Sequence, residues 1–184
     1  MGQQQDPNGA VADLSHLSMD ELFDVVVTTA SRREERLQDV AGSVTVITRQ
    51  DIERSGLTSV PELLRLVPGA QVQRLTNADW AVSLRGFPSR YSNKLLVLMD
   101  GRSVYTPLFS GVFWDQQEVL LDDIERIEVI KGPGGAKWGA NAVNGVINIV
   151  TRSARDSQAA FVQNSVGSYE ESLPGARIGL GLGE

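Results

Sequence analysis

The sequence of 184 residues contains no cysteine and a single histidine, His16. Without thiolates, neither a cysteine zinc site nor a disulfide framework can form. His16 lies in a polar stretch without neighbouring candidate ligands, so we interpret it as a solvated side chain. These two shortages leave no candidate metal centre, and the sequence predicts no cofactor.

Long apolar runs and concentrated basic charge are also missing. No stretch approaches the roughly 20 apolar residues that a transmembrane helix needs. The first residues, MGQQQDPNGAVAD, lack the basic and then apolar order of a signal peptide. The 17 Lys and Arg residues are scattered and the formal net charge is -6. Because a nucleic-acid surface requires a concentrated basic face, we predict no nucleic-acid partner.

The remaining composition, 41% hydrophobic and 22% charged, is sufficient for one ordinary domain with a core. From Ser43 onward, short patterns of two kinds alternate. SVTVIT predicts a strand, and DIERSG predicts a short helix that ends at Gly56. SVPELLRLVPG predicts a second helix, capped by Ser59 and stopped by Pro68-Gly69. Four apolar residues of this second helix fall on one face: Val60, Leu63, Leu64 and Val67.

Both predicted helices are short and need a sheet to pack against. Six further segments are candidates for that sheet: AQVQRL, AVSLRGF, LLVLM at 95–99, RSVY at 102–105, RIEVI at 126–130 and GVINIVT at 145–151. LLVLM is apolar on both faces, as in a covered central strand. Asp100-Gly101, between LLVLM and RSVY, is the strongest hairpin pattern in the chain. The pattern predicts an α+β domain with a small mixed sheet and short helices.

The last thirty residues alternate differently. In GARIGLGLG the apolar residues Ala176, Ile178, Leu180 and Leu182 occupy every second position, and Gly or Arg occupies the others. This period of two is typical of a strand with one apolar and one small or polar face. FVQNSVGSYE is a weaker strand pattern and ESLPG a plausible turn. Because an open hairpin is marginally stable alone, we expect the natural chain to continue beyond it.

Several of these segments, in this order and spacing, carry a family resemblance: SVTVIT, SVPELLRLVPG, SLRGF, LLVLMDGRSVY, IERIEVIKGP and WGANAVNGVINIVT. From about residue 37 to residue 152, the chain resembles the plug domain of TonB-dependent outer-membrane receptors. In that family the plug is an α+β domain inside a 22-stranded barrel. The resemblance implies a flexible N-terminal segment at 1–34, a plug at 35–153, and the first hairpin of a truncated barrel at 154–184.

The resemblance also implies a function. It predicts a gating and ligand-binding domain of an active transporter, not an enzyme, for a scarce nutrient such as a ferric siderophore or cobalamin. The plug would lie inside its own β-barrel in the bacterial outer membrane, with the N-terminus in the periplasm. The implied partners are the nutrient, the barrel and the C-terminal domain of TonB, energised by ExbB/ExbD. The alternative is a barrel-free periplasmic interaction or signalling module, against which the alternating C-terminal hairpin argues.

The segment DVVVTTA at 24–30 is similar to the TonB box, the short extended segment that precedes the plug in this family. Its members are Asp24, Val25, Val26, Val27, Thr28, Thr29 and Ala30. The β-branched valines favour an extended backbone, which can add as an edge strand to a partner's sheet. The alternative is that the same valines pair within the plug.

The glycine-rich stretch IKGPGGAKWGANAVNGVINIV invites comparison with a phosphate-binding loop. Lys131 precedes the glycines, Lys137 is followed by Trp138, and no helix pattern follows, so the match to a Walker loop is poor. An enzyme that uses this turn as a phosphate site is therefore a distant alternative. We interpret these residues, with Asp100 and Gly101, as structural turns that need positive φ or lack room for a side chain: Gly132, Pro133, Gly134, Gly135, Gly139 and Gly145. Trp138 would anchor the turn by burial.

Two basic residues match family motifs. The resemblance implies that Arg85, in RGF, and Lys131, at the arginine position of RGP, face acidic residues of the barrel wall and form a charge lock between plug and barrel. Lysine lacks the bidentate fork of arginine, which predicts a looser contact at Lys131. The alternative is that both are ordinary solvated charges. Glu125, Arg126 and Glu128 are interpreted as local ion pairs because no third group converges on them.

Two loops are candidates for ligand contact. One spans 87–94 and contains Arg90 and Tyr91; the other spans 106–117 and contains Phe109, Phe113 and Trp114 beside Gly and Ser. Aromatic side chains in such loops can grip a ligand or pack against the barrel, and the sequence does not separate these alternatives. The identity of the ligand does not follow from the sequence.

Overall fold

The computed structural model describes residues 26–27, 35–36, 43–76, 79–86, 88–89, 94–117, 119–132, 138–139, 141–155, 157, 160–166 and 173–180. Several predictions lie outside the described residues. They concern the segment 1–23, most of the TonB-box segment (Asp24, Val25, Thr28, Thr29 and Ala30), Arg90 and Tyr91 in the first loop, and Pro133, Gly134 and Gly135 in the glycine-rich turn.

A five-stranded mixed sheet forms the centre of the domain. In spatial order its strands are β3 (Ser43–Thr48), β8 (Ile124–Lys131), β9 (Gly145–Thr151), β6 (Leu95–Met99) and β7 (Arg102–Ser103). β6 and β9 are parallel and the other neighbours are antiparallel. Leu95, Leu96, Val97 and Leu98 of β6 are all buried, which confirms the predicted covered strand.

Two of the predicted strands do not join this sheet. β4 (Gln71–Arg74) and β5 (Trp80–Ser83) pair with each other as a separate antiparallel hairpin. All four residues of β5 are buried, whereas Val72 is the only residue of β4 that is not exposed. A strand with polar residues at most positions cannot be covered on both faces, so β4 lies at the surface and β5 carries the apolar contacts. The sequence identified both strands correctly but assigned them to the wrong sheet.

Two short helices pack on the main sheet. α1 (Arg49–Ser55) ends at Gly56 with φ 66°, as predicted. Its start is a capping box that sequence analysis missed: the Thr48 hydroxyl accepts from the Asp51 N–H at 3.2 Å, and the Asp51 carboxylate accepts from the Thr48 N–H at 2.9 Å.

The second helix, α2 (Val60–Leu63), continues as a 3-10 turn over Leu64–Leu66. The predicted apolar face is confirmed, since Val60, Leu63, Leu64 and Val67 are all buried. Ser59 occupies the N-cap position but makes no capping hydrogen bond, which corrects the prediction. Pro61 stands at the second helical position, so one of the two N–H groups from which a capping serine hydroxyl can accept is missing.

The core lies on both faces of the main sheet. The larger cluster lies on the side of the helices and combines α1, α2 and β5 with alternate residues of the sheet, including Ile47, Val97, Ile127 and Ile147. A smaller cluster of Leu96, Leu98, Ala142 and Val146 is covered by Trp138. Trp138 is partly buried there, so it anchors the glycine-rich connection as predicted, though less completely.

The C-terminal hairpin consists of β10 (Ala160–Ser165) and β11 (Leu173–Ile178), paired antiparallel. Its outward side chains are mostly apolar: Val162, Ile178 and Leu180 are 75–80% exposed, and the polar Asn164 lies on the same face. Phe161, Gln163 and Arg177 point the other way and are half-buried. The predicted alternation is thus confirmed from Ala176 to Leu180, while Leu182 lies outside the described residues. The last three residues of the predicted turn ESLPG belong to β11 instead. None of the helices among the described residues is long and apolar enough to cross a membrane.

Candidate partner and ligand surfaces

The described part of the TonB-box segment is the two-residue strand β1 (Val26–Val27). It pairs antiparallel with β2 (Glu35–Arg36), with Val26 opposite Arg36 and Val27 opposite Glu35. No strand of the main sheet takes part in this pairing. Within the described residues, one edge of β1 therefore has no strand partner. Since alternate residues of an antiparallel strand direct their N–H and C=O groups to opposite edges, one of the two valines presents both groups at this open edge.

The turn between β6 and β7 has the predicted backbone. Asp100 has φ 49° and Gly101 φ 76°, the positive values that a two-residue hairpin turn requires. The Asp100 carboxylate also accepts hydrogen bonds from the N–H and the hydroxyl of Thr151, both at 2.8 Å. The turn is therefore fixed to the end of β9, beside the linker that leads to the C-terminal hairpin.

The described glycines of the connection between β8 and β9 also behave as predicted. Gly132, Gly139 and Gly145 have φ values of 139°, 93° and 156°. Gly145 is the most constrained: a Cβ there would lie 2.4 Å from the Ile130 carbonyl oxygen and 2.7 Å from Leu84 Cδ1. These positions serve the close pairing of two strands, and Gly145 has no room for a side chain.

The structure brings the two predicted lock residues to the same end of the sheet. Arg85 follows β5 and is exposed, and its Nη2 lies 3.9 Å from the position that a Gly132 Cβ would take. Lys131, next to Gly132, donates from Nζ to the Pro68 carbonyl oxygen at 2.8 Å. The lysine is therefore already bound to the turn after α2, whereas no ion pair of Arg85 occurs among the described residues. Contact of either residue with a barrel carboxylate stays a prediction.

The second predicted ligand loop forms an exposed tip at 106–111. Main-chain hydrogen bonds between Thr106 and Gly111, at 2.9 and 3.4 Å, close this tip. Phe109 is 48% exposed and makes an edge-to-face contact with Phe113, with ring centroids 5.2 Å apart. Leu108 is 80% exposed, and the sequence analysis did not single it out. Its position between Pro107 and Phe109 in a predicted loop could have indicated this exposed apolar side chain.

Trp114 differs from its prediction. It begins the 3-10 turn Trp114–Gln116, is 8% exposed, and belongs to the larger core cluster. Val119 and Leu121 pack against the same cluster. A large aromatic side chain gains more from this burial than from solvent exposure, so Trp114 fixes the base of the loop to the core. Within the second loop, the candidate ligand surface therefore reduces to the tip with Leu108 and Phe109, and Phe113 supports it. Arg90 and Tyr91 of the first loop stay a prediction.

One of the two carboxylates of β8, Glu128, forms a local ion pair with Arg126, as interpreted from the sequence, whereas no ion pair of Glu125 occurs among the described residues. Arg126 Nε lies 2.8 Å from Glu128 Oε1, and the Glu128 side chain is fully buried. Glu128 lies opposite Val46 on one neighbouring strand and opposite Asn148 on the other. Over the part of the chain that the structure describes, no group of three or more His, Cys, Asp or Glu residues could hold a metal ion.

A mixed sheet covered by short helices, a glycine-constrained strand connection and a hairpin with an apolar outer face together define an α+β plug domain. A family model described as "TonB-dependent Receptor Plug Domain" matches residues 36–146. The chain belongs to this family. The resemblance seen in the sequence is thereby confirmed, and so is the predicted fold.

Curated relatives cover most of the chain. It is 40% identical over 147 residues to the vitamin B12 transporter BtuB of Vibrio vulnificus (strain CMCP6), covering 79% of this chain and 23% of the relative. It is 32% identical over 163 residues to the vitamin B12 transporter BtuB of Vibrio cholerae serotype O1 (strain M66-2), covering 88% of this chain and 26% of the relative. The chain thus spans about a quarter of the length of these relatives.

Solved structures show the same fold. The ferric citrate transporter FecA in its unliganded form matches with a TM-score of 0.56 and 29% identity, covering 72% of this chain and 21% of that chain. FpvA of P. aeruginosa, bound to heterologous pyoverdines, matches with a TM-score of 0.58 and 21% identity, covering 83% of this chain and 20% of that chain. The likeness to FpvA concerns the fold alone.

Proposed function

We propose that this chain is the plug of a TonB-dependent outer-membrane transporter, in which it gates the passage and contacts a scarce nutrient. Residues 1–34 are the periplasmic segment with the TonB box, 35–153 the plug, and 154–184 the first hairpin of the barrel. The observation that carries this proposal is the hairpin β10–β11. Val162, Ile178 and Leu180 face outward, as lipid-facing strand residues do, whereas Gln163 and Arg177 face the plug.

Cobalamin is the favoured nutrient over a ferric siderophore. The two curated relatives above are vitamin B12 transporters, and one of them is 40% identical across 79% of this chain. The ferric citrate transporter matches at the lower identity of 29%. On the plug itself, the tip with Leu108 and Phe109 offers an exposed apolar and aromatic contact for a large ligand.

Energy would reach the plug through β1. Its open edge can accept a strand of the TonB C-terminal domain, and such β-augmentation gives main-chain hydrogen bonds without a requirement for particular side chains. ExbB/ExbD would drive TonB from the inner membrane. A pull on β1 would act first on its pairing with β2, and would then pass along the chain to β3, which lies at the edge of the main sheet.

Uptake of labelled cobalamin tests this proposal. The full-length receptor, expressed in cells without their own cobalamin receptor, is expected to support uptake that requires TonB and the proton-motive force. Val26→Pro and Val27→Pro are compared separately, because proline removes one N–H and only one of the two valines faces the open edge. We expect one of these changes to lower uptake by about tenfold or more, since a proline cannot join a strand ladder at that position.

The matched controls are the single variants Val26→Thr and Val27→Thr. Each keeps a β-branched side chain and the main-chain N–H group at its position. Full uptake by both proline variants would contradict the role of β1. Uptake of a ferric siderophore but not of cobalamin would leave the transporter proposal in place and correct the nutrient.

Arg85→Ala is expected to raise the passive leak of small solutes through the full-length receptor. An exposed ion pair contributes up to about 1 kcal/mol, so loss of the contact predicts an increase of at most about fivefold. Lys131→Ala should have a smaller effect, because its Nζ donates to the Pro68 carbonyl within the plug. Solute efflux from receptor-containing vesicles measures both variants. An unchanged leak for Arg85→Ala counts against the charge lock.

A further inference from the structure

Two neighbouring carboxylates form ion pairs with arginines from three distant parts of the chain. Asp122 and Asp123 belong to the 3-10 turn Leu121–Asp123, just before β8. Asp122 is 2.7 Å from Nη2 of Arg49, 3.5 Å from Nη2 of Arg177 and 3.8 Å from Nη1 of Arg152. Asp123 pairs with Nη1 of Arg177. We call these five residues the junction cluster.

The junction cluster is partly buried, and its charges balance once Glu53 is included. The side chains of its members are 18–29% exposed. Arg49 also pairs with Glu53 at 2.8 Å, so three arginines face three carboxylates. Charge pairs shielded from water interact more strongly than exposed pairs, and several charges in a network hold geometry better than one.

Main-chain groups reinforce the junction cluster. Arg49 Nη1 donates to the Asp122 carbonyl oxygen at 2.8 Å, and the N–H of Arg152 donates to the Asp123 carbonyl oxygen at 2.8 Å. The turn at 121–123 is thereby joined to the start of α1 and to the residue that follows β9. Both connections fix the position of the two carboxylates relative to the main sheet.

The hairpin meets this turn with its inner face. Arg177 of β11 lies directly opposite Phe161 of β10, and its guanidinium carbon is 5.5 Å from the centre of the phenyl ring. Two pairs further along, Gly175 lies so close to Leu120 that a Cβ there would be 2.6 Å from Leu120 Cδ2. The hairpin therefore contacts the plug at an ionic point and at an apolar point, both on the same face.

We propose that Asp122 and Asp123 form a second charge lock, in which the plug supplies the carboxylates and the barrel hairpin supplies the arginine. At Arg85 and Lys131 the plug is expected to supply the basic side chains and the barrel the acidic ones, so the two locks have opposite polarity. The inference rests on the proposed function, which makes β10–β11 the start of the barrel wall. Because Arg49 follows Thr48, the last residue of β3, the junction cluster lies at the end of β3 opposite to the one that the pulled segment enters, and it connects that end of the plug to the wall. It holds the plug in its closed position.

Charge reversal in the full-length receptor tests this lock. Arg177→Asp and Asp123→Arg, each alone, place like charges together, and each is expected to raise solute efflux from receptor-containing phospholipid vesicles roughly fivefold or more. The double variant restores opposite charges and should return efflux to within about twofold of the unchanged receptor. Two residues that act independently would not produce this rescue, because their separate defects add.

Asp115→Asn is the matched control. Asp115 is exposed in the preceding 3-10 turn and makes no ion pair among the described residues, so its neutralisation should leave efflux unchanged. If a reversed variant fails to insert, Asp123→Asn keeps the side-chain shape and is expected to raise efflux about twofold. A double variant as leaky as the single ones, or an unchanged efflux in Asp123→Asn, would overturn the lock.

The cobalamin assay separates this inference from the function on which it rests. An unchanged receptor that is tight but takes up no nutrient would refute the proposed function, while the efflux of its variants would still decide the lock. Normal uptake by the unchanged receptor, combined with no rescue in the double variant, would refute the lock alone.

Discussion

Gly145→Ala is expected to lower the free energy of unfolding of this chain by about 2–4 kcal/mol, since overpacking and backbone strain both contribute at this position. The new Cβ would lie 2.4 Å from the Ile130 carbonyl oxygen, a main-chain atom of the neighbouring strand β8. It would also lie 2.7 Å from Leu84 Cδ1 in the core. A side chain can move away, but the carbonyl can move only if the pairing of β8 with β9 is distorted. Urea unfolding followed by tryptophan fluorescence measures the loss.

Gly101→Ala is the control for Gly145→Ala. Gly101 also has a positive φ, 76°, but a Cβ there would have no neighbour within 4 Å. Its loss should therefore reflect backbone strain alone, about 1 kcal/mol. Equal losses at the two positions would show that contact with Ile130 and Leu84 contributes nothing, contrary to the structure.

Arg126→Leu is expected to lower the free energy of unfolding by about 3 kcal/mol, because it removes one partner of a buried ion pair. Glu128 is fully buried, and its Oε1 lies 2.8 Å from Arg126 Nε. Loss of the guanidinium removes the cation that lies 2.8 Å from this buried carboxylate. The same urea unfolding experiment measures the effect.

A second variant decides whether this loss comes from the charge. Arg126→Leu combined with Glu128→Gln removes both charges, and we expect it to be less destabilised than Arg126→Leu alone. Arg102→Leu, on the exposed strand β7, removes an arginine without a described ion pair and should change stability by no more than about 0.5 kcal/mol. If the double variant is as unstable as Arg126→Leu, packing of the arginine rather than its charge explains the loss.

Local patterns predicted much of the fold, because they describe contacts between residues close in the chain. The Asp100-Gly101 turn follows from the backbone freedom of two adjacent residues. The end of α1 at Gly56 and the buried face of α2 follow from helix geometry. The alternation in the C-terminal hairpin follows from the period of a strand. The order of these motifs also identified the family, which the match to residues 36–146 confirms.

Local competition explains the smaller misses. Ser59 and Thr48 are both hydroxyl residues in front of a short helix, but Pro61 deprives Ser59 of a donor while Asp51 completes the box with Thr48. Trp114 was grouped with the loop aromatics, although its side chain lies in the core. In the sequence, Trp114 and Phe109 are both aromatic residues of the same loop. Only their surroundings in the folded chain distinguish the buried Trp114 from the exposed Phe109.

The sequence by itself determined which segments become strands, helices and tight turns, and with them the family. Only the tertiary structure decided which strands pair: β4 and β5 form their own hairpin, and β9 lies between β8 and β6. The tertiary structure also placed Lys131 against Pro68 and gathered the junction cluster, in which Arg49 and Asp122 are 73 positions apart. The physical reason is that charge attraction and burial act through space. No spacing rule along the chain records contacts that form only when distant elements pack together.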